Sequence, residues 1–85
     1  MRLLETSKFQ KLRKKLKDAE ERDALKDAVL QVLENPEAGK KLKGEFWDLR
    51  ALRFAVRGQA RRLIYKLEKD DGVLFSFGPP QGIYK

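Results

Sequence analysis

The chain has 85 residues, 41% of them apolar and 39% charged, which is room for one domain (residues 1–85) with one modest core. It carries 20 Lys/Arg against 13 Asp/Glu, a net charge of +7, and has neither cysteine nor histidine; this excludes disulfides, a thiolate zinc site and the commonest general base and metal ligand. No apolar run reaches the length of a membrane span, and Met1-Arg2-Leu3-Leu4-Glu5 is charged too soon for a secretory signal, so a cytoplasmic protein without membrane association is expected.

Arg2-Leu3-Leu4-Glu5 reads as a short opening strand. Ser7-Lys8-Phe9-Gln10 reads as a capping box with Ser7 as N-cap, and Phe9, Leu12 and Leu16 lay an apolar stripe along the helix that follows. Its outer face carries Lys11, Arg13, Lys14, Lys15 and Lys17. Asp18-Ala19-Glu20-Glu21 marks a break and a second helix start, with acids where the helix dipole favours them. Leu25, Ala28, Val29, Val32 and Leu33 give the strongest helical period in the chain, and Asn35-Pro36 ends it. Residues 37–48 read as a loop.

From Leu49 the period changes to two. Leu52, Phe54 and Val56 fall on one face of a strand, with Ala51, Arg53, Ala55 and Arg57 on the other. Gly58-Gln59 is a hairpin turn, after which Leu63, Tyr65 and Leu67 face one way and Arg62, Ile64 and Lys66 the other. Asp70-Asp71-Gly72 is a second turn; its two acids form no catalytic dyad, because a hairpin tip has no buried site to split their pKa values. Val73, Phe75 and Phe77 are the inward residues of a last strand, which Gly78-Pro79-Pro80 closes. Two N-terminal helices on one face of a small antiparallel sheet of three to four strands, an α+β fold, follow from this order. The uncovered face would carry Arg53, Arg62, Lys66 and Ser76.

The charge is not evenly spread. Residues 40–66 hold nine Lys/Arg and only Glu45 and Asp48, so the whole net charge lies there, and the remainder balances at eleven of each sign. Such a concentration is the footprint of a polyanion-binding face. Asn35-Pro36, Lys41-Leu42-Lys43-Gly44, Leu49-Arg50-Ala51-Leu52-Arg53, Arg62-Leu63-Ile64-Tyr65, Phe77-Gly78-Pro79 and Ile83-Tyr84 come in the order and at the spacing seen in the RelE/ParE toxin superfamily, which the chain resembles over nearly its whole length. The resemblance implies a RelE-like fold and the toxin of a type II toxin–antitoxin pair.

In its RelE branch the superfamily cleaves mRNA in the ribosome without a metal or other cofactor, by attack of a ribose 2′-hydroxyl on the adjacent phosphate. By this resemblance Arg62 is the stabiliser of the phosphorane, since a guanidinium can hold two phosphate oxygens. Arg53 lies near the family's basic residues on the preceding strand, and Tyr84 matches a C-terminal tyrosine that stacks on a base or exchanges a proton. Lys41, Lys43, Arg50, Arg57, Arg61 and Lys66 are the expected nucleic-acid contacts. The family's Gly-x-Arg at the end of the last strand is departed from, because Pro80 stands in place of its arginine; Arg57 and Arg61 are the nearby candidates to replace it. The chain also stops one residue past Tyr84, without the C-terminal helix of some members.

That departure keeps a ParE-like inhibitor of DNA gyrase, binding protein without chemistry, and a non-toxic family member as alternatives. The expected partners are the ribosome and mRNA, and a cognate antitoxin with an acidic contact segment that joins the otherwise monomeric toxin in a hetero-oligomer. Blander roles stand beside these: a strand arginine paired to a carboxylate for Arg62, a solvated loop for Lys40, Lys41 and Lys43, a sheet-edge contact for Tyr84, and a loop anchor for Trp47.

Overall fold

The computed structural model describes residues 1–80. In chain order they form strand β1 (Arg2–Glu5), helices α1 (Ser7–Lys15) and α2 (Ala19–Glu34), strand β2 (Lys40–Lys41), a 3₁₀ turn (Gly44–Phe46) and strands β3 (Arg50–Val56), β4 (Gln59–Glu68) and β5 (Asp71–Gly78). Both helices pack on one sheet face, α1 over β5 and β1 and α2 over β3 and β4. This is the α+β arrangement expected from the sequence. The sheet is larger and mixed, however: its order is β1-β5-β4-β3-β2, and β1 joins β5 in parallel. The remaining pairs are antiparallel. Both edge strands are short, and β2 consists of two lysines, a composition that discourages further strand pairing.

Helix α1 starts one residue away from the expected cap. Thr6, not Ser7, stays extended, and its hydroxyl accepts from the Phe9 N–H at 3.1 Å. The same hydroxyl donates to the Phe75 carbonyl at 3.0 Å, so Thr6 also fastens the strand–helix junction to β5. Asp18 caps α2 by accepting from the Glu20 N–H at 3.2 Å, with Glu20 and Glu21 in the first turn. The α2 stripe buries Leu25, Ala28 and Val32; Leu33 falls outside it and is exposed.

The main core lies between the helices and the sheet and contains Phe9, Leu25, Ala28, Val32, Leu52, Leu63, Tyr65, Leu74 and Phe77. Phe9 and Phe77 meet edge to face, with centroids 5.3 Å apart at 68°, a geometry worth about 0.5–1.5 kcal/mol beyond area burial. The assignment of Val73 and Phe75 to this core is corrected. Ile64 pairs with Ser76 and Tyr65 with Leu74, which leaves Phe75 as an extra residue at a β-bulge. The bulge shifts the alternation, so Leu74 and Phe77 both point to the helices. Phe75 instead joins Leu42 and Leu49 against Ala51 and Ile64, a second small cluster on the opposite face. The middle of that face is therefore covered, and Ser76 is buried in it rather than open.

Both hairpins turn one residue earlier than the composition suggests. Val56 pairs with Gln59, so Arg57 and Gly58 form a two-residue loop with φ of 51° and 78°, as a type I′ turn requires. Glu68 pairs with Asp71, and Lys69, at φ 45°, takes the left-handed position expected of Gly72. The segment read as loop over 37–48 contains β2 and the 3₁₀ turn. Among the described residues no helix is long and apolar enough to cross a membrane.

Candidate nucleic-acid interface

Strand alternation distributes the cations of residues 40–66 between two faces. Arg53 and Arg62 are directly opposite each other on β3 and β4, on the face away from the helices. Arg53 is exposed and makes no ion pair among the described residues. Arg62 is half-buried, with its Nε out of contact with solvent. Gly78 pairs with Arg62 from the other side; at φ 150° it occupies backbone space that glycine tolerates best, and it adds no side chain over the guanidinium. Like charges directly opposite on adjacent strands repel, and the partial burial of Arg62 adds desolvation. An anion lying across both guanidiniums relieves that repulsion, and a phosphate diester can accept from each.

The other arginines of this segment point elsewhere. Arg61 pairs with Phe54 on the helix-side face and reaches Glu21 of α2 at 3.8 Å. Arg57, at the hairpin tip, donates to both carboxylate oxygens of Asp18, one at 3.0 Å, and lies 3.3 Å from Glu20. These hydrogen bonds hold the Asp18 carboxyl below its ordinary range and the Arg57 guanidinium above its own. Neither arginine shares a face with Arg62, so neither replaces the family arginine for which Pro80 stands. Arg50 is a tie within the fold, donating to the Gly39 carbonyl at 2.8 Å.

Tyr65 completes that tie. Its ring is fully buried, as its inward phase implied, but its hydroxyl has a second task that sequence reasoning missed. It donates to the Pro36 carbonyl at 2.7 Å and accepts from the Gly39 N–H at 2.8 Å. Burial raises its pKa, because the tyrosinate would lose its solvent, and the Gly39 N–H and the Arg50 charge only partly oppose this. A Cβ on Gly39 would come within 2.6 Å of this ring. Tyr65 and Arg50 together fix the chain as it enters β2 and thereby position Lys40, Lys41 and Lys43, which are exposed and make no ion pair among the described residues.

Lys66 lies on the Arg62 face at the far end of β4, bonded to Glu68 at 3.1 Å and near Asp48 at 3.4 Å. Those two acids, Glu68 foremost, raise its pKa. The structure thus brings together Arg53 and Arg62, with Lys66 four residues along the same strand face. It places Arg50, Arg57 and Arg61 on the other side. Tyr84 lies outside the described residues. A cleft of about 490 Å³ lies elsewhere, between α1 and α2, lined by apolar Phe9, Leu25 and Val29 and by the charged Glu5, Arg13, Lys14, Arg22 and Lys26.

Comparison with known proteins agrees with the fold and narrows the family. The intact E. coli RelBE toxin–antitoxin complex contains a chain that superposes with a TM-score of 0.73 at 27% identity, covering 94% of this chain and 96% of that one. The isolated E. coli RelE toxin gives 0.72 at 28% identity, over 92% and 82%. A copper-bound mutant toxin from Helicobacter pylori, 20% identical with a TM-score of 0.61 over 94% of each chain, shares the fold. A search of curated protein sequences gives no significant match. Residues 3–85 match the family described as the ParE-like toxin of type II bacterial toxin–antitoxin systems. The chain belongs to that family, within the RelE/ParE superfamily, and is a type II toxin.

Proposed function

We propose that this toxin is a ribosome-dependent, metal-independent endoribonuclease that inhibits translation by cutting mRNA. The observation that carries the reading is the cross-strand pair Arg53 and Arg62 on a face the helices leave uncovered. Similarity to E. coli RelE at 28% identity supports it. In the reaction the ribose 2′-oxygen bonds to phosphorus as the P–O5′ bond breaks. One proton leaves the 2′-hydroxyl and another reaches the departing 5′-oxygen. The charge that gathers on the non-bridging oxygens is what Arg62 stabilises, with Arg53 holding the same phosphate. Tyr84 is the proposed proton-exchanging or stacking group. Lys41, Lys43 and Lys66 attract the backbone, and this role predicts binding that weakens steeply with salt. The site of action is the cytoplasm.

Arg62→Ala should abolish growth arrest while the protein keeps its fold by circular dichroism, and the native toxin should create new mRNA 5′ ends after induction. Persistent arrest by a folded Arg62→Ala protein would remove Arg62 from the site. The engagement of Arg57 and Arg61 with α2 acids favours a second reading, gyrase inhibition without chemistry. Arrest without new mRNA ends would establish that reading instead.

An antitoxin is the second proposed partner, by similarity to the RelBE complex. The cleft between α1 and α2, lined by apolar residues, by the Glu5–Arg13 ion pair and by Lys14, Arg22 and Lys26, suits an amphipathic segment with acidic residues flanking its apolar ones.

A further inference from the structure

Trp47 is the single tryptophan of the chain, and 69% of its surface is exposed. The bland reading of it as a loop anchor does not hold, because Leu42 and Leu49 fill that role against Ala51 and Ile64. We infer that Trp47 is a stacking platform for one nucleobase of a single-stranded RNA whose phosphate lies on Arg53 and Arg62; this rests on the nucleic-acid reading above.

Three features support it. First, the turn that carries Trp47 is held. The Trp47 N–H donates to the Gly44 carbonyl at 3.2 Å, the Leu49 N–H to Phe46 at 2.9 Å and the Leu42 N–H to Leu49 at 3.0 Å. A platform held in this way loses little freedom when a base lands on it.

Second, it borders the correct face. Leu42 and Leu49 cover the sheet side that Arg53 and Arg62 share, and Asp48, next to Trp47, reaches Lys66 on that side. Arg62 and Lys66 are four residues apart on β4, about 13 Å at the usual rise of a strand. The arginine pair and the turn that carries Trp47 therefore bracket a short stretch of extended single strand.

Third, the surroundings suit a base better than a protein. A protein hot spot needs a rim of contacts that keeps water out. Around Trp47 the neighbours Lys43, Gly44, Glu45 and Asp48 are exposed, and Lys40 and Lys41 lie just upstream. A base needs only a π-face, with cations nearby for its phosphates.

The lone tryptophan is also the reporter. Titrating the full chain with a short oligoadenylate should quench indole emission in step with binding, measured separately by anisotropy of a labelled oligoadenylate. Inorganic polyphosphate, which offers charge without bases, should bind without that quenching. Trp47→Ala should weaken oligoadenylate binding about 5- to 150-fold with its salt dependence unchanged. Trp47→Tyr should retain most of the affinity and Trp47→Leu should not. Binding without quenching, or Leu serving as well as Tyr, would overturn the stacking role and leave the phosphate site standing. Failure of the native chain to bind oligoadenylate at all would overturn both. A Trp47→Ala protein that binds RNA normally but loses its antitoxin would make Trp47 a protein contact instead.

Discussion

Arg53 and Arg62 face each other across β3 and β4, so Arg53→Gln removes one of two like charges while keeping most of the side-chain stem. Directly opposite residues have Cα atoms about 4.5–5.5 Å apart. At about that separation, Coulomb repulsion between two unit charges in bulk water is about 0.8 kcal/mol, inside the range of about 0.2–1 kcal/mol typical of cross-strand pairs. The variant should therefore be more stable than the native protein by about 0.5 kcal/mol, a rise in Tm of about 2–4 °C for a domain of this size. Near 1 M salt, where the screening length is about 3 Å, the gain should vanish. Function should move the other way. Loss of one hydrogen bond between charged groups is worth about 1.5–3 kcal/mol, so RNA binding or cleavage should fall about 10- to 150-fold.

Urea unfolding at low and high salt, run beside an RNA-binding titration, measures both signs. Arg57→Gln is the internal contrast. It breaks the pairing with Asp18 and Glu20 and should destabilise the fold without weakening RNA binding. Because Arg57 lowers the Asp18 carboxyl, its contribution is present at neutral pH and lost as pH falls through the folded value, so the variant should also have a flatter acid limb. If Arg53→Gln destabilises the protein regardless of salt, Arg53 is part of the scaffold. If RNA binding is unchanged, the two-arginine phosphate site is wrong.

Two further predictions concern the tie beneath the basic loop. Tyr65→Phe removes a donor bond to Pro36 and an acceptor for Gly39, and should destabilise by about 2 kcal/mol, or about 10 °C in Tm. Since burial raises the Tyr65 pKa, the folded state keeps a proton that the unfolded chain gives up. Stability is full below about 10, the ordinary tyrosine value, and declines as pH rises through the folded value. Urea unfolding across this range should show a slope in the native protein that Tyr65→Phe lacks, and equal slopes would refute the burial argument. Gly39→Ala puts a methyl group against the Tyr65 ring and should lower Tm and weaken RNA binding together, because the same displacement moves Lys40, Lys41 and Lys43. Unchanged Tm would show that the loop accommodates the methyl.

What could be read from sequence were the features with a local period. The α2 stripe of Leu25, Ala28 and Val32 and the alternation of Leu63, Tyr65 and Leu67 survive intact because each strand or helix imposes its own geometry. Strand parity also put Arg53 and Arg62 on one face, as their pairing across β3 and β4 shows. Features set by distant partners were hidden. The parallel pairing of β1 with β5 joins residues 69 positions apart, as the Arg2–Asp71 bonds show. The bulge at Phe75 has no glycine to mark it, and Thr6, whose hydroxyl donates to the Phe75 carbonyl, looks like an ordinary residue before a helix. Leu42 and Leu49 sit among charges, so their covering of the sheet was not visible in composition. Tyr65 was legible as core, yet a polar atom on so deeply inward a ring was a signal that something had to meet it.

The basic segment acquires its meaning from acids outside it. Asp18, Glu20 and Glu21 begin α2, where the helix dipole favours them, and the same carboxylates receive Arg57 and Arg61 from the sheet. Arg57 and Arg61 are thus matched at the helix layer, while Arg53 and Arg62, one strand position out of phase with Arg61, point to the outer face. Concentration of charge in sequence alone would predict a toxin equally basic on both sides of its sheet. The acidic start of α2 makes it one-sided, and on the proposed nuclease reading a one-sided cation pair holds a single phosphate in a defined orientation, where a uniformly basic surface would only gather RNA.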